Sequence, residues 1–180
     1  MPQLWTPPVT HAAGDVLHAS DWTTNTVDNP TFLSQPPIGR VHLATNTSVA
    51  AGAGIAALNL TGTNGAVDFD PWGWWNSTNG NFVTSIAGYY LVTVFAVATM
   101  GSGSGSSVFE ITPLISGSTP SLYANVQGVQ GLTVSGISTD LVYIASGGTI
   151  AFGVANTGSL PVTLEANSNQ TCLHFKWVSF

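Results

Sequence analysis

An all-β sandwich of jelly-roll type, about ten strands behind a short N-terminal arm, is the fold class this sequence predicts. Three observations carry it. Short apolar runs rich in Val, Ile, Tyr and Phe recur at roughly 8–15-residue spacing from residue 38 onward. Turn dipeptides such as Asn64-Gly65, Asn79-Gly80 and Gly147-Gly148 punctuate them, and such pairs supply the backbone angles of tight hairpins. The longest run, Tyr89–Met100, is apolar on both alternating faces, the pattern of a strand covered on both sides.

The elements follow in chain order. Residues 1–37 are rich in Pro, Thr and Asn and end in Pro36-Pro37, a stiff boundary. They form an arm, with the head spanning 38–180. Within the arm Ser20 caps a short, weak helix that Asn29-Pro30 ends. Trp5, Leu17, Trp22, Phe32 and Leu33 are apolar residues on a segment too short for its own core, so the arm is expected to anchor on another surface. In the head, Arg40–Ala44 is a strand with Val41 and Leu43 on one face. Strand character in Ser48–Leu60, Val67–Asp70 and Phe82–Ile86 leads into Tyr89–Met100. One face of that strand carries Tyr89, Leu91, Phe95 and Val97; the other carries Tyr90, Val92, Val94, Ala96 and Met100. Gly101–Ser107 is a flexible loop. Val108–Ile115, Leu122–Val129, Leu132–Ala145, Ile150–Ala155, Val162–Glu165 and Cys172–Phe180 complete the set.

Composition bounds the function. Arg40 and Lys176 are the only strong cations against eight carboxylates, and charged residues make up 6% of the chain, where about 25% is ordinary. Nucleic acid and anionic membrane surfaces both need several Lys or Arg, so neither is an expected partner. The longest apolar stretch, Ile86–Met100, is broken by Thr93 and Thr99 and is short for a spanning helix. Residues 1–20 lack the basic start and apolar core of a secretory signal. So little charge leaves apolar surface for partner chains to cover, and a homotrimer is expected.

Two resemblances sharpen this. The stretch Val67-Asp68-Phe69-Asp70, then Asn79-Gly80-Asn81-Phe82, then Ala87-Gly88-Tyr89-Tyr90-Leu91-Val92-Thr93-Val94 resembles the globular heads of complement and tumour-necrosis-factor-like proteins. That resemblance implies a ten-stranded jelly roll assembling as a tight homotrimer. No collagen-like Gly-x-y stalk precedes it. The arm sequence Ala13-Gly14-Asp15-Val16-Leu17-His18-Ala19-Ser20-Asp21-Trp22, with Asp28-Asn29 and Phe32-Leu33, is similar to the start of many bacteriophage virion proteins. It implies a virion location, on the tail or the capsid surface, with the arm docked to other virion proteins.

The chemistry is sparse. His11, His18, His42 and His174 are scattered, no His-Glu-x-x-His motif exists, and Cys172 stands alone, so no metal centre or cofactor site is expected. Cys172 is expected to be a buried, inert thiol with no cation nearer than Lys176. Asp68 and Asp70 share a side of their strand and suit Ca²⁺ or a carboxylate pair, though a solvated strand end is the plainer reading. Trp72, Trp74 and Trp75, three indoles in four residues beside Pro71 and Gly73, suit a glycan- or protein-binding platform. Plugging one end of the core is the competing role. No set of base, nucleophile and metal ligand appears, so the chain is not expected to be an enzyme. The leading reading is a trimeric minor tail or tail-tip protein that contacts the host surface. Capsid decoration is the alternative, and a secreted carbohydrate- or receptor-binding head is the rival of another class.

Overall fold

The computed structural model describes residues 35–116, 124–167 and 169–179. The arm residues Trp5, Leu17, Trp22, Phe32 and Leu33 and the expected arm helix lie outside the described residues. Ile38–Phe180 makes one compact unit. Among the described residues there are thirteen strands: β1 (Ile38–Leu43), β2 (Thr47–Val49), β3 (Ala53–Ala57), β4 (Gly65–Phe69), β5 (Trp75–Asn76), β6 (Asn81–Val83), β7 (Gly88–Met100), β8 (Ser107–Ile115), β9 (Ala124–Gly128), β10 (Thr133–Ile144), β11 (Thr149–Asn156), β12 (Val162–Leu164) and β13 (Cys172–Ser179). The all-β jelly-roll sandwich read from the sequence is what these strands form.

Two antiparallel sheets make the sandwich. In the first, β7 is central: β10 pairs along one edge, and β13 then β12 pair end to end along the other. β1 and β4 extend the sheet beyond β13, and β2 extends it beyond β12. The second sheet runs β5-β6-β11-β8-β9, with β3 also on β11. The core between them follows from period-two alternation. Val41, Leu43, Tyr90, Val92, Val94, Ala96, Leu173 and Phe175 point in from the first sheet and meet Phe82, Phe109, Ile111, Ile150 and Phe152 from the second, all fully buried. Phe175 is the hub, with Phe82 edge-on at 4.8 Å and Tyr90 edge-on at 6.0 Å between ring centroids. Gly39 is what lets β1 pass here, since a Cβ at that position would overlap the Phe175 and Phe82 rings. The buried Tyr90 hydroxyl donates to the Ile86 carbonyl at 2.6 Å, and burial pushes its phenol pKa above the usual tyrosine range.

Three local readings are corrected. Within one chain Tyr89–Met100 is covered on one face: the even-numbered side chains are buried, while Tyr89 and Leu91 are left open. The expected strand Phe82–Ile86 stops at Val83, because Thr84 turns its amide and hydroxyl onto the Gly148 carbonyl instead of continuing the ladder. The turn assigned to Asn64-Gly65 is a single 3₁₀ turn over Gly62–Asn64. Its positive φ falls on Gly62 at 56°, not on Gly65.

Candidate functional site

The side of the first sheet turned away from the core gathers the chain's unusual residues. Strand register sets them in rows. Leu141, Leu91, Lys176 and Ile38 form one row across β10, β7, β13 and β1. Thr139, Thr93, His174, Arg40 and Phe69 form the next, running on into β4. Ile137, Phe95, Cys172, His42 and Ala66 form a third.

This face has two halves. On β7 and β10 it is apolar: Tyr89, Leu91, Ile137, Leu141 and Tyr143 are 41–61% exposed. Tyr89 and Tyr143 meet edge to face at 5.5 Å. Hydroxyl pairs Thr93–Thr139 at 3.0 Å and Thr99–Thr133 at 3.1 Å bridge the same two strands. On β13, β1 and β4 the face is polar and carries both strong cations. Asp68 accepts from two neighbours, with Oδ1 2.9 Å from His42 Nδ1 and Oδ2 3.3 Å from Arg40 Nε. The Arg40 guanidinium also reaches Cys172 Sγ at 3.6 Å. The His174 ring stands edge-on to Phe69 at 6.0 Å. Partial burial holds the His174 pKa below the usual histidine value, and the positive charges of Arg40 and Lys176 push it the same way.

Trp72, Trp74 and Trp75 sit elsewhere, on β5 and the connection that leads into it from β4. Trp74 is buried, its ring stacked on Phe175 at 5.8 Å and its Nε1 donating to Ser85 Oγ at 3.1 Å. Trp72 lies 5.7 Å from Trp74, and Trp75 meets Phe82 edge-on at 4.9 Å. Both are half-buried. Asp70 belongs to this corner: its Oδ2 accepts from the Trp75 amide at 2.7 Å, and Gly73 turns the chain at φ 68°. Asp68 and Asp70 therefore do not converge. A bulge in the β1–β4 pairing breaks the simple alternation, so one carboxylate faces Arg40 and the other serves the tryptophan turn.

The expectation for Cys172 is corrected as well. It is half-buried on the outer face, and Arg40 is the cation beside it. The two lie 132 residues apart in sequence, so only β1–β13 pairing brings them together. The polar row was visible in part, since Arg40 and His42 alternate on β1 as Cys172, His174 and Lys176 do on β13. Nothing local said that these two runs are neighbours.

No protein-family model matches the sequence, and no curated protein sequence matches it significantly. Solved structures match the fold. A tumour necrosis factor, Eiger, from S. frugiperda aligns over 81% of this chain and 94% of its own with 14% identity and a TM-score of 0.57. Murine APRIL aligns over 79% of this chain and 98% of its own with 10% identity and a TM-score of 0.56. The globular domain of zebrafish complement 1qA aligns over 79% and 97% with 8% identity and a TM-score of 0.52. The chain has a tumour-necrosis-factor and complement-head jelly-roll fold.

Among the described residues no group of three or more His, Cys, Asp or Glu side chains is placed to hold a metal ion. The virion location is overturned. The solved structures named above that share its fold are tumour-necrosis-factor and complement proteins, not tail or capsid components. The physical reason lies in the weight of each signal. The phage-like motif is a short run in the arm, whereas the fold match extends over about four-fifths of the chain.

Proposed function

We propose that this protein is a binding head, a non-enzymatic jelly roll that self-associates as a trimer and engages a receptor protein or a glycan. The observation that carries the reading is the apolar half of the outer face, Tyr89, Leu91, Ile137, Leu141 and Tyr143. Solvent-exposed apolar area in one continuous patch marks an interaction surface. A second copy is the occupant that suits it, because an apolar face on a chain with so little charge is covered at low cost by another apolar face of the same kind. The family resemblance implies three chains. Three copies also raise the avidity of individually weak contacts.

The test is the mass in solution. Light scattering at micromolar concentration should return three chains. A stable species at 18.6 kDa, the mass of one chain, would sink the proposal.

A further inference from the structure

We propose that His174 makes this assembly acid-sensitive: chains joined through the outer face of the first sheet separate when the imidazole takes up a proton. The inference rests on the trimer reading above.

Its ground is the set of charges around His174. From β1, Arg40 stands directly across and His42 one row further on. From β4 comes Asp68. On β13 itself Cys172 and Lys176 flank it on the same side. β7 and β10 contribute Thr93 and Thr139 in its row, and their nearest ionisable side chains on this face, Tyr89 and Tyr143, lie two rows away. The nearby carboxylate, Asp68, is already shared by Arg40 and His42. Among the described residues, a proton on His174 therefore adds a charge beside Arg40 and Lys176 with no further carboxylate in its row or the adjoining rows to answer it. In a separated chain water screens that charge. Against a second copy the water is gone and like charges repel more strongly. The neutral ring is thus favoured in the assembly, and proton uptake favours separation.

His42 differs in its setting: it is paired with Asp68 at 2.9 Å within one chain, a contact present before and after assembly. The sign follows from His174. Its pKa lies below the usual value of 6.5, so assembly is at full strength above that pH and weakens as pH falls below it. Three chains release the effect three times over.

The experiment uses the full chain, diluted at pH 7.5 and at pH 5.0, with light scattering for mass and tryptophan fluorescence and circular dichroism for folding. The expected result is a trimer at pH 7.5. At pH 5.0 the concentration needed for half-assembly should rise by about tenfold or more, with the fold intact. His174→Gln should abolish the difference. Lys176→Gln, at an exposed position, should reduce it without touching the core. A trimer equally strong at both pH values overturns the switch and leaves the trimer standing. The same difference persisting in His174→Gln assigns the response to another group and also overturns it. A monomer already at pH 7.5 overturns the trimer, and the switch with it.

Discussion

The two sheets share one core but meet their surroundings differently. Of the eleven large apolar side chains left exposed among the described residues, eight lie on strands of the first sheet and one, Ile55, on the second, the other two being at the β9–β10 turn. Outside, the second sheet presents groups such as Glu110, whose carboxylate accepts from Asn125 at 3.2 Å, a polar surface at ease in water. The first presents tyrosines and leucines beside an ion-paired cluster. The difference teaches where to look for a partner. Hydropathy summed over the chain cannot say this, because inward and outward residues alternate along each strand and average out.

Three substitutions break or sharpen the contrast. The largest effect should come from the layer both sheets share. Trp74→Ala removes a buried ring stacked on Phe175 and should cost about 3–5 kcal/mol of stability, read as a large drop in melting temperature. A variant that melts like the parent would mean that the tryptophan corner is not part of the core. The next effect should be confined to the first sheet. Leu141→Asp places a carboxylate on the apolar half of its face, where a covering chain would have to bury it. Assembly should weaken by about a hundredfold or more, while the melting behaviour of the separated chain stays close to the parent's. If the mass in solution is unchanged, the face is not the interface. The smallest effect belongs to the second sheet. Ile55→Ser should change stability by no more than about 0.5 kcal/mol and leave the mass untouched. Loss of assembly there would erase the distinction between the sheets.

Much of the head was legible from alternation alone. Val41 and Leu43 point inward as their spacing requires, and β7, β8, β10 and β11 lie within a residue or so of the apolar runs that announce them. These readings hold because side-chain direction in a strand is a local property with period two. Readings that needed a neighbour failed. Tyr89–Met100 is apolar on both faces, but one chain covers only the even-numbered side, since hydrophobicity records what a strand can bury and not what lies beside it. The pair Asp68 and Asp70 looked parallel until the bulge against β1 separated them. Trp74 could have been surface or core by composition, and its stacking on a residue 101 positions later decided between them.

The sequence by itself determined where strands form and which side chains alternate together. Tertiary structure alone decided that Arg40, near the start of the head, stands across from His174, near its end, with Asp68 supplied by a third strand. Alternation is written into neighbouring residues. Adjacency of strands is a property of the whole packed sandwich, chosen by which pairing buries Phe175 among Tyr90, Phe82 and Trp74. The charged cluster on the outer face is therefore a consequence of how the inner face packs.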